Sequence, residues 1–119
     1  MKKGFKGLIS GIALAFMLTL SSCGANQKAA DKINNAASEK NYYTVEKLEK
    51  SYGDPTVDFT ATVLGSQNGL LVWINGCKTA EEAKQKLDDG KEVKALYVVI
   101  VNNNAVSATY EAYDPNKKN

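Results

Sequence analysis

The sequence predicts an α+β domain: a tandem αββ repeat forming a four-stranded antiparallel sheet with helices packed on one face. Two observations carry that prediction. A short amphipathic segment led by a threonine occurs twice, at Thr44 and at Thr79. Each is followed by two strand-like runs with turn residues between them. The 119 residues allow one small domain, near the size where a single core is just adequate.

The first 22 residues read as a segment outside that domain. Lys2, Lys3 and Lys6 form a basic start, and residues 8–20 form an apolar run interrupted by Ser10 and Gly11. A spanning helix needs about 20 apolar residues, so this shorter run reads as an export signal. It stops at Leu20-Ser21-Ser22-Cys23. That tetrapeptide resembles the lipobox of bacterial lipoproteins, a branched apolar residue and two small residues before a cysteine. The resemblance implies that Cys23 is acylated through its thiol and becomes the N-terminus after the signal is cut. A thiolate is the best nucleophile available for such an alkylation. The competing reading is an ordinary signal peptide with an incidental cysteine. Lipidated Cys23 would hold the protein on the extracytoplasmic side of a bacterial membrane. Gly24, where an aspartate often marks inner retention, points to the outer leaflet where two membranes exist. Asn and Lys are abundant while Arg and His are absent, a pattern of AT-rich genomes that leaves the envelope type open.

Residues 23–41 then read as the lipidated cysteine and a polar tether. The stretch is rich in Ala, Asn and Lys, and Ile33 is its one large aliphatic residue. Ala29, Ala30, Ala36 and Ala37 permit a helix in it.

The domain is expected over residues 42–114. Thr44 caps a helix beginning at Val45, with Val45, Leu48 and Tyr52 on one face and Gly53-Asp54-Pro55 as its stop. Lys47 stands where a capping box places Glu. Val57, Phe59, Ala61 and Val63 alternate with Asp58, Thr60 and Thr62, as in a strand with one solvated face. Residues 65–69 carry turn chemistry, and residues 70–74 form the next strand. Thr79 with Glu82 makes a capping box for a second helix, which Ala83 and Leu87 line and Asp88-Asp89-Gly90 ends. A strand from Val93, a turn at Asn102-Asn103-Asn104 and a return strand over residues 106–113 complete the second unit. In the return strand Val106, Ala108, Tyr110 and Ala112 share one side. Residues 115–119 are a polar tail.

The spacing Thr44-x-x-x-Leu48-x-x-x-x-Gly53-x-Pro55 resembles that of the BamE (SmpA/OmlA) lipoproteins and the related β-lactamase-inhibitor-protein-like domains. In those families a capping Thr starts a short helix, an aliphatic residue packs it, and Gly-x-Pro leads into the first strand. This chain departs from the pattern in having Tyr42-Tyr43 where Gly-Met is usual. In its second half Asp88 replaces the Gly and Gly90 the Pro. The resemblance implies partner docking on the sheet.

Composition excludes several chemistries. Without histidine there is no imidazole base and no His metal ligand. Glu81-Glu82 and Asp88-Asp89 are helix neighbours that point apart, suited to solvation and helix ends rather than to a shared proton. Asp54 and Asp58 fit turn and strand-edge roles. No phosphate-binding loop, zinc spacing or calcium loop is present, so no metal or other cofactor and no enzymatic activity are expected. Removing Lys2, Lys3 and Lys6 takes three charges from the formal +2 and leaves −1, without basic clusters, so nucleic acid is not an expected partner. Cys77 reads as a small buried residue, with a redox site or intermolecular disulfide as the alternative.

The sheet is the candidate site. Residues 70–74 and 96–101 are apolar on both faces. If Leu70, Val72 and Ile74 fill the core, then Leu71 and Trp73 lie outside it, joined by Tyr97 and Val99. Such an aromatic, apolar patch marks a protein-binding surface. The alternative is that these are central strands covered by the tether or by a second copy. The expected function is a membrane-anchored envelope lipoprotein that docks a protein partner. Two other readings stand beside it. A protein inhibitor of an exported enzyme would present residues 65–69, and an assembly factor would hold an envelope complex together.

Overall fold

The computed structural model describes residues 25–117; the signal segment (1–22) and Cys23 lie outside the described residues. Among the described residues, three helices, α1 (Gln27–Ser38), α2 (Val45–Tyr52) and α3 (Ala80–Asp88), accompany four strands: β1 (Val57–Val63), β2 (Ser66–Ile74), β3 (Lys94–Val101) and β4 (Asn104–Ala112). The strands form one antiparallel sheet in the order β1-β2-β3-β4. The α+β class and the four-stranded antiparallel sheet therefore stand as the sequence predicts.

Local chemistry sets most boundaries. Thr44 is extended and its hydroxyl accepts from the Lys47 N–H at 3.1 Å, so α2 starts where a cap can satisfy one of its free donors. Gly53, at φ 81°, ends that helix in a conformation few other residues adopt. Thr79 caps α3 in the same manner, accepting from Glu82 N–H at 3.1 Å. Glu82 reaches back one residue beyond the cap and accepts from the Lys78 N–H at 2.9 Å. The hairpins turn on two residues each, Leu64-Gly65 and Asn102-Asn103, all with positive φ as a type I′ turn requires. The first turn is thus tighter than residues 65–69 suggest, and β2 begins at Ser66.

One irregularity changes which residues of β4 face inward. Val99 pairs with Ser107 but Ile100 pairs with Ala105, so Val106 is an extra residue in the ladder. The bulge turns Ala105 into the core and leaves Val106 exposed, contrary to simple alternation from Val106.

Helix placement departs from the one-face expectation. Leu71, Trp73, Leu96, Val98 and Ile100 share a core with α1 and α2. Leu70, Val72, Ile74, Ala95 and Tyr97 form a second core with Cys77, Val93 and Ala83 of α3. These sets alternate along β2 and β3, so the cores lie on opposite faces of the sheet. The order αββ recurs, but the packing does not, because α2 and α3 lie on different sides.

The expected tether is replaced by a docked helix. Asn26 caps α1, and Ala29, Ala30 and Ile33 are buried against the sheet. Burying Ile33 alone contributes on the order of 1.5–3 kcal/mol. Small alanines let the helix lie close over β4. The Asn34 side chain donates to the Ala108 carbonyl at 2.8 Å and accepts from the Ala108 N–H at 2.9 Å, as a neighbouring strand would. It thereby occupies outward backbone groups of an edge strand. The folded unit accordingly includes the described residues from Ala25 on, not only those from Tyr42.

Gly69 holds the close approach of β1 to β2. Its φ is 143°, and a Cβ there would lie 2.4 Å from the Phe59 carbonyl oxygen and 2.7 Å from Thr60 Cα. Neither atom is on a flexible side chain. We expect Gly69→Ala to destabilise the domain by at least ~2 kcal/mol, the scale of a strained backbone residue, measured by urea unfolding. A midpoint equal to that of the wild type would show that β1 does not pack as described.

Candidate functional site

All five residues from Leu70 to Ile74 are buried, and alternation sends them into two different cores. Trp73 is 1 % exposed. Its indole N–H donates to the Gly53 carbonyl at 3.0 Å, and the Tyr52 ring meets it edge-on, with centroids 6.2 Å apart. Leu71 is fully buried beside it. The expected outward patch is therefore corrected at these two residues: Leu71 and Trp73 are core. The stop of α2 explains this, since Gly53 places a free carbonyl over the indole.

Tyr97 lies on the other face and is 2 % exposed. The C-terminal segment closes over it. Its hydroxyl accepts from the Asp114 N–H at 2.8 Å, and the Lys117 ammonium stands 4.6 Å from the ring centroid. Burial pushes the Tyr97 hydroxyl pKa up, opposed by the Asp114 hydrogen bond and by Lys117. So Tyr97 is a covered residue too, and the segment expected as a polar tail contributes its cover.

Val99 differs. It is 39 % exposed, and it shares a row with Leu70 and Phe59 through the β1–β2 and β2–β3 registers. Phe59 is 38 % exposed, and Val101, two residues beyond Val99 on the same side, is 48 % exposed. Val63 and Leu64 are exposed at the adjoining hairpin tip. Of the four residues expected to bind a partner, Val99 alone lies on an open surface; Phe59 and Val101 are the neighbours sequence reasoning missed. The signal for Phe59 was present in the alternation of β1. Phe59 follows Val57 in the apolar row, but α3 does not extend that far along the sheet.

β1 flanks this patch as an edge strand. Thr60 donates its N–H and its hydroxyl to the Asp58 carboxylate, at 2.8 and 2.5 Å. Its outward backbone donor is held only by a side chain of the same strand. The other edge, β4, is occupied by Asn34 of α1.

The remaining candidates have local roles. Glu82 caps the approach to α3, and Asp89 accepts from the Gln85 amide at 3.2 Å. Asp54 and Asp88 are exposed. Among the described residues, no group of three or more His, Cys, Asp or Glu side chains is placed to hold a metal ion. Cys77 is a buried free thiol beneath α3. Burial raises its pKa; Lys86 nearby lowers it and Glu82 raises it. It sits as a small apolar residue does, with its thiol biased against the reactive thiolate.

Compared with known protein families, curated proteins and solved structures, the chain matches none.

The burial of Trp73 has a direct optical consequence. As the single tryptophan, it should emit at short wavelength in the folded protein and resist iodide quenching. Trp73→Ala should cost about 3–5 kcal/mol of stability, as large-to-small core substitutions do. A red-shifted, readily quenched emission would place Trp73 outside the core and overturn the α2 packing.

Proposed function

We propose that this chain is a membrane-anchored extracytoplasmic lipoprotein, lipidated at Cys23, whose domain docks an envelope protein through the open part of its sheet. The observation that carries the docking half is the exposed row of Phe59, Val99 and Val101 beside the edge strand β1. A partner that presents an extended apolar segment suits both features. Its backbone would continue the sheet from β1, and its alternate side chains would meet the apolar row. Because Asn34 occupies outward groups of β4, the β1 edge is the more accessible of the two. The export signal and the Leu20-Ser21-Ser22-Cys23 sequence support the anchoring half. The BamE-like spacing of Thr44, Leu48, Gly53 and Pro55 agrees with an envelope lipoprotein.

The inhibitor reading draws less support, because the loop it relied on is a two-residue turn. No observation favours the assembly-factor reading over simple docking.

Two substitutions separate anchoring from docking. Cys23→Ser should abolish incorporation of labelled fatty acid and release the protein from membranes. Val99→Asp should weaken partner recovery from crosslinked membranes at least tenfold, about 1.4 kcal/mol. Val99 is partly exposed, so stability should change by no more than about 1 kcal/mol. Unchanged recovery with Val99→Asp and Phe59→Asp would remove the sheet as the docking site. A native protein that is freely soluble with Cys23 unmodified would remove the anchor.

A further inference from the structure

The position of Ala25 has a consequence for where the domain stands on a membrane. Ala25 is 2 % exposed and belongs to the core shared by α1, Leu71 and Trp73. Asn26 caps α1 directly after it. Between Cys23 and this buried residue the chain has Gly24 alone. Two residues of extended chain span at most about 7 Å. An acyl chain on Cys23 would therefore have almost no spacer between it and the packed domain.

We infer that the domain rests directly on the lipid surface through the corner formed by the start of α1 and the end of α2, with its open apolar row directed away from the bilayer. This rests on the lipoprotein reading of Cys23 and adds an orientation to it. Lys28 and Lys32 are exposed at this corner. With Asn26, Ala29 and Tyr52 they line an open depression beside the cap of α1. Lysine ammonium groups and a tyrosine hydroxyl suit a headgroup layer, where an apolar stem and a polar tip are both solvated. The exposed aliphatic and aromatic side chains lie elsewhere. β1 starts four residues after Gly53, at this corner, and its seven residues carry the chain about 20 Å away, to Val63 and Leu64. Val101 and the Asn102-Asn103 turn are at the same far end, because Asn103 bonds to Gln67 at the start of β2. The bilayer thus meets polar and charged groups, Lys28 and Lys32 with Asp31 and Asp54 beside them, and the apolar row stays available to a protein.

The test uses full-length lipidated protein in mixed phosphatidylcholine and phosphatidylglycerol vesicles, carrying one fluorophore on an introduced cysteine. Cys77→Ala removes the one other thiol that lipidation at Cys23 leaves. Gln27→Cys reports on the corner, and Thr62→Cys on the far end of β1; both positions are exposed. A quencher attached to the lipid headgroups should reduce Gln27 fluorescence several-fold more than Thr62 fluorescence. Equal quenching, or stronger quenching at Thr62, would overturn the orientation while leaving the anchor intact. A Gly/Ser insert of about ten residues between Gly24 and Ala25 adds a reach of roughly 16–19 Å. It should bring Gln27 quenching down toward the Thr62 level, with flotation on vesicles unchanged. Gln27 quenching that persists with the insert would show that the short link does not set the orientation. Failure to float, with Cys23→Ser behaving like the wild type, would instead remove the lipoprotein reading itself.

Discussion

The two central strands are apolar on both faces, and this one constraint shapes the rest of the structure. Along β2 and β3, Leu71, Trp73, Leu96, Val98 and Ile100 point one way, while Leu70, Val72, Ile74, Ala95 and Tyr97 point the other. Helices confined to one face would leave the second set in water, at about 25 cal/mol per Å² of apolar surface. The helices therefore divide between the faces. α1 and α2 cover the Trp73 side, and α3 with the C-terminal segment covers the Tyr97 side. The second cover is short. α3 has nine residues, and only Ala83 and Leu87 of its side chains join that core. It closes over the end of the sheet near Ile74 and Val93, and Phe59, Val99 and Val101 lie beyond its reach.

The sheet margins follow from the same shortage of helix. Any four-stranded open sheet has two edges whose outward backbone groups need partners. The chain applies α1 to β4, where Asn34 bonds both outward groups of Ala108. At β1 the available partner is the carboxylate of Asp58, a local substitute supplied by the strand itself. Asparagine chemistry also joins the two hairpins. Asn103 accepts from the Gln67 N–H, and Asn68 accepts from the Asn102 N–H, each at 2.8 Å. These bonds hold the far end of the sheet in register without apolar packing.

Features governed by neighbours in sequence were legible before the fold was known. Both threonine caps, the glycine stop of α2, the asparagine turn and all four strands follow from local rules. What depended on distant partners was not. Alternation separates Trp73 from Val72 but cannot say which of them meets a helix; the Gly53 carbonyl over the indole decides that. The Val106 bulge leaves no mark in the alternating pattern of β4. The candidate surface suffered most, because three of its four expected residues became core and only Val99 remained open. For α1 a faint signal existed: Ala29, Ala30, Ile33, Ala36 and Ala37 recur at helical spacing. Their small area made a tether the simpler reading, since alanine contributes little burial alone.

That alanine helix joins the fold to the proposed location. A segment that fills the core with Ala29, Ala30 and Ile33 and bonds the β4 edge through Asn34 cannot also serve as a spacer. Freeing it would uncover the Trp73 face and exchange the two Asn34–Ala108 bonds for water, each worth roughly 0.5–1.5 kcal/mol net. The same contacts that complete the core thus pack the chain from Ala25, two residues after Cys23 in the sequence. They also set the opposing geometry of the molecule, since α1 runs from the Tyr52 corner toward the asparagine turns. The proposed lipid at one end and the uncovered apolar row toward the other then both relate to a single packing choice. The chain uses the α1 segment as cover for the sheet, and the short link in the proposed anchor follows from that use.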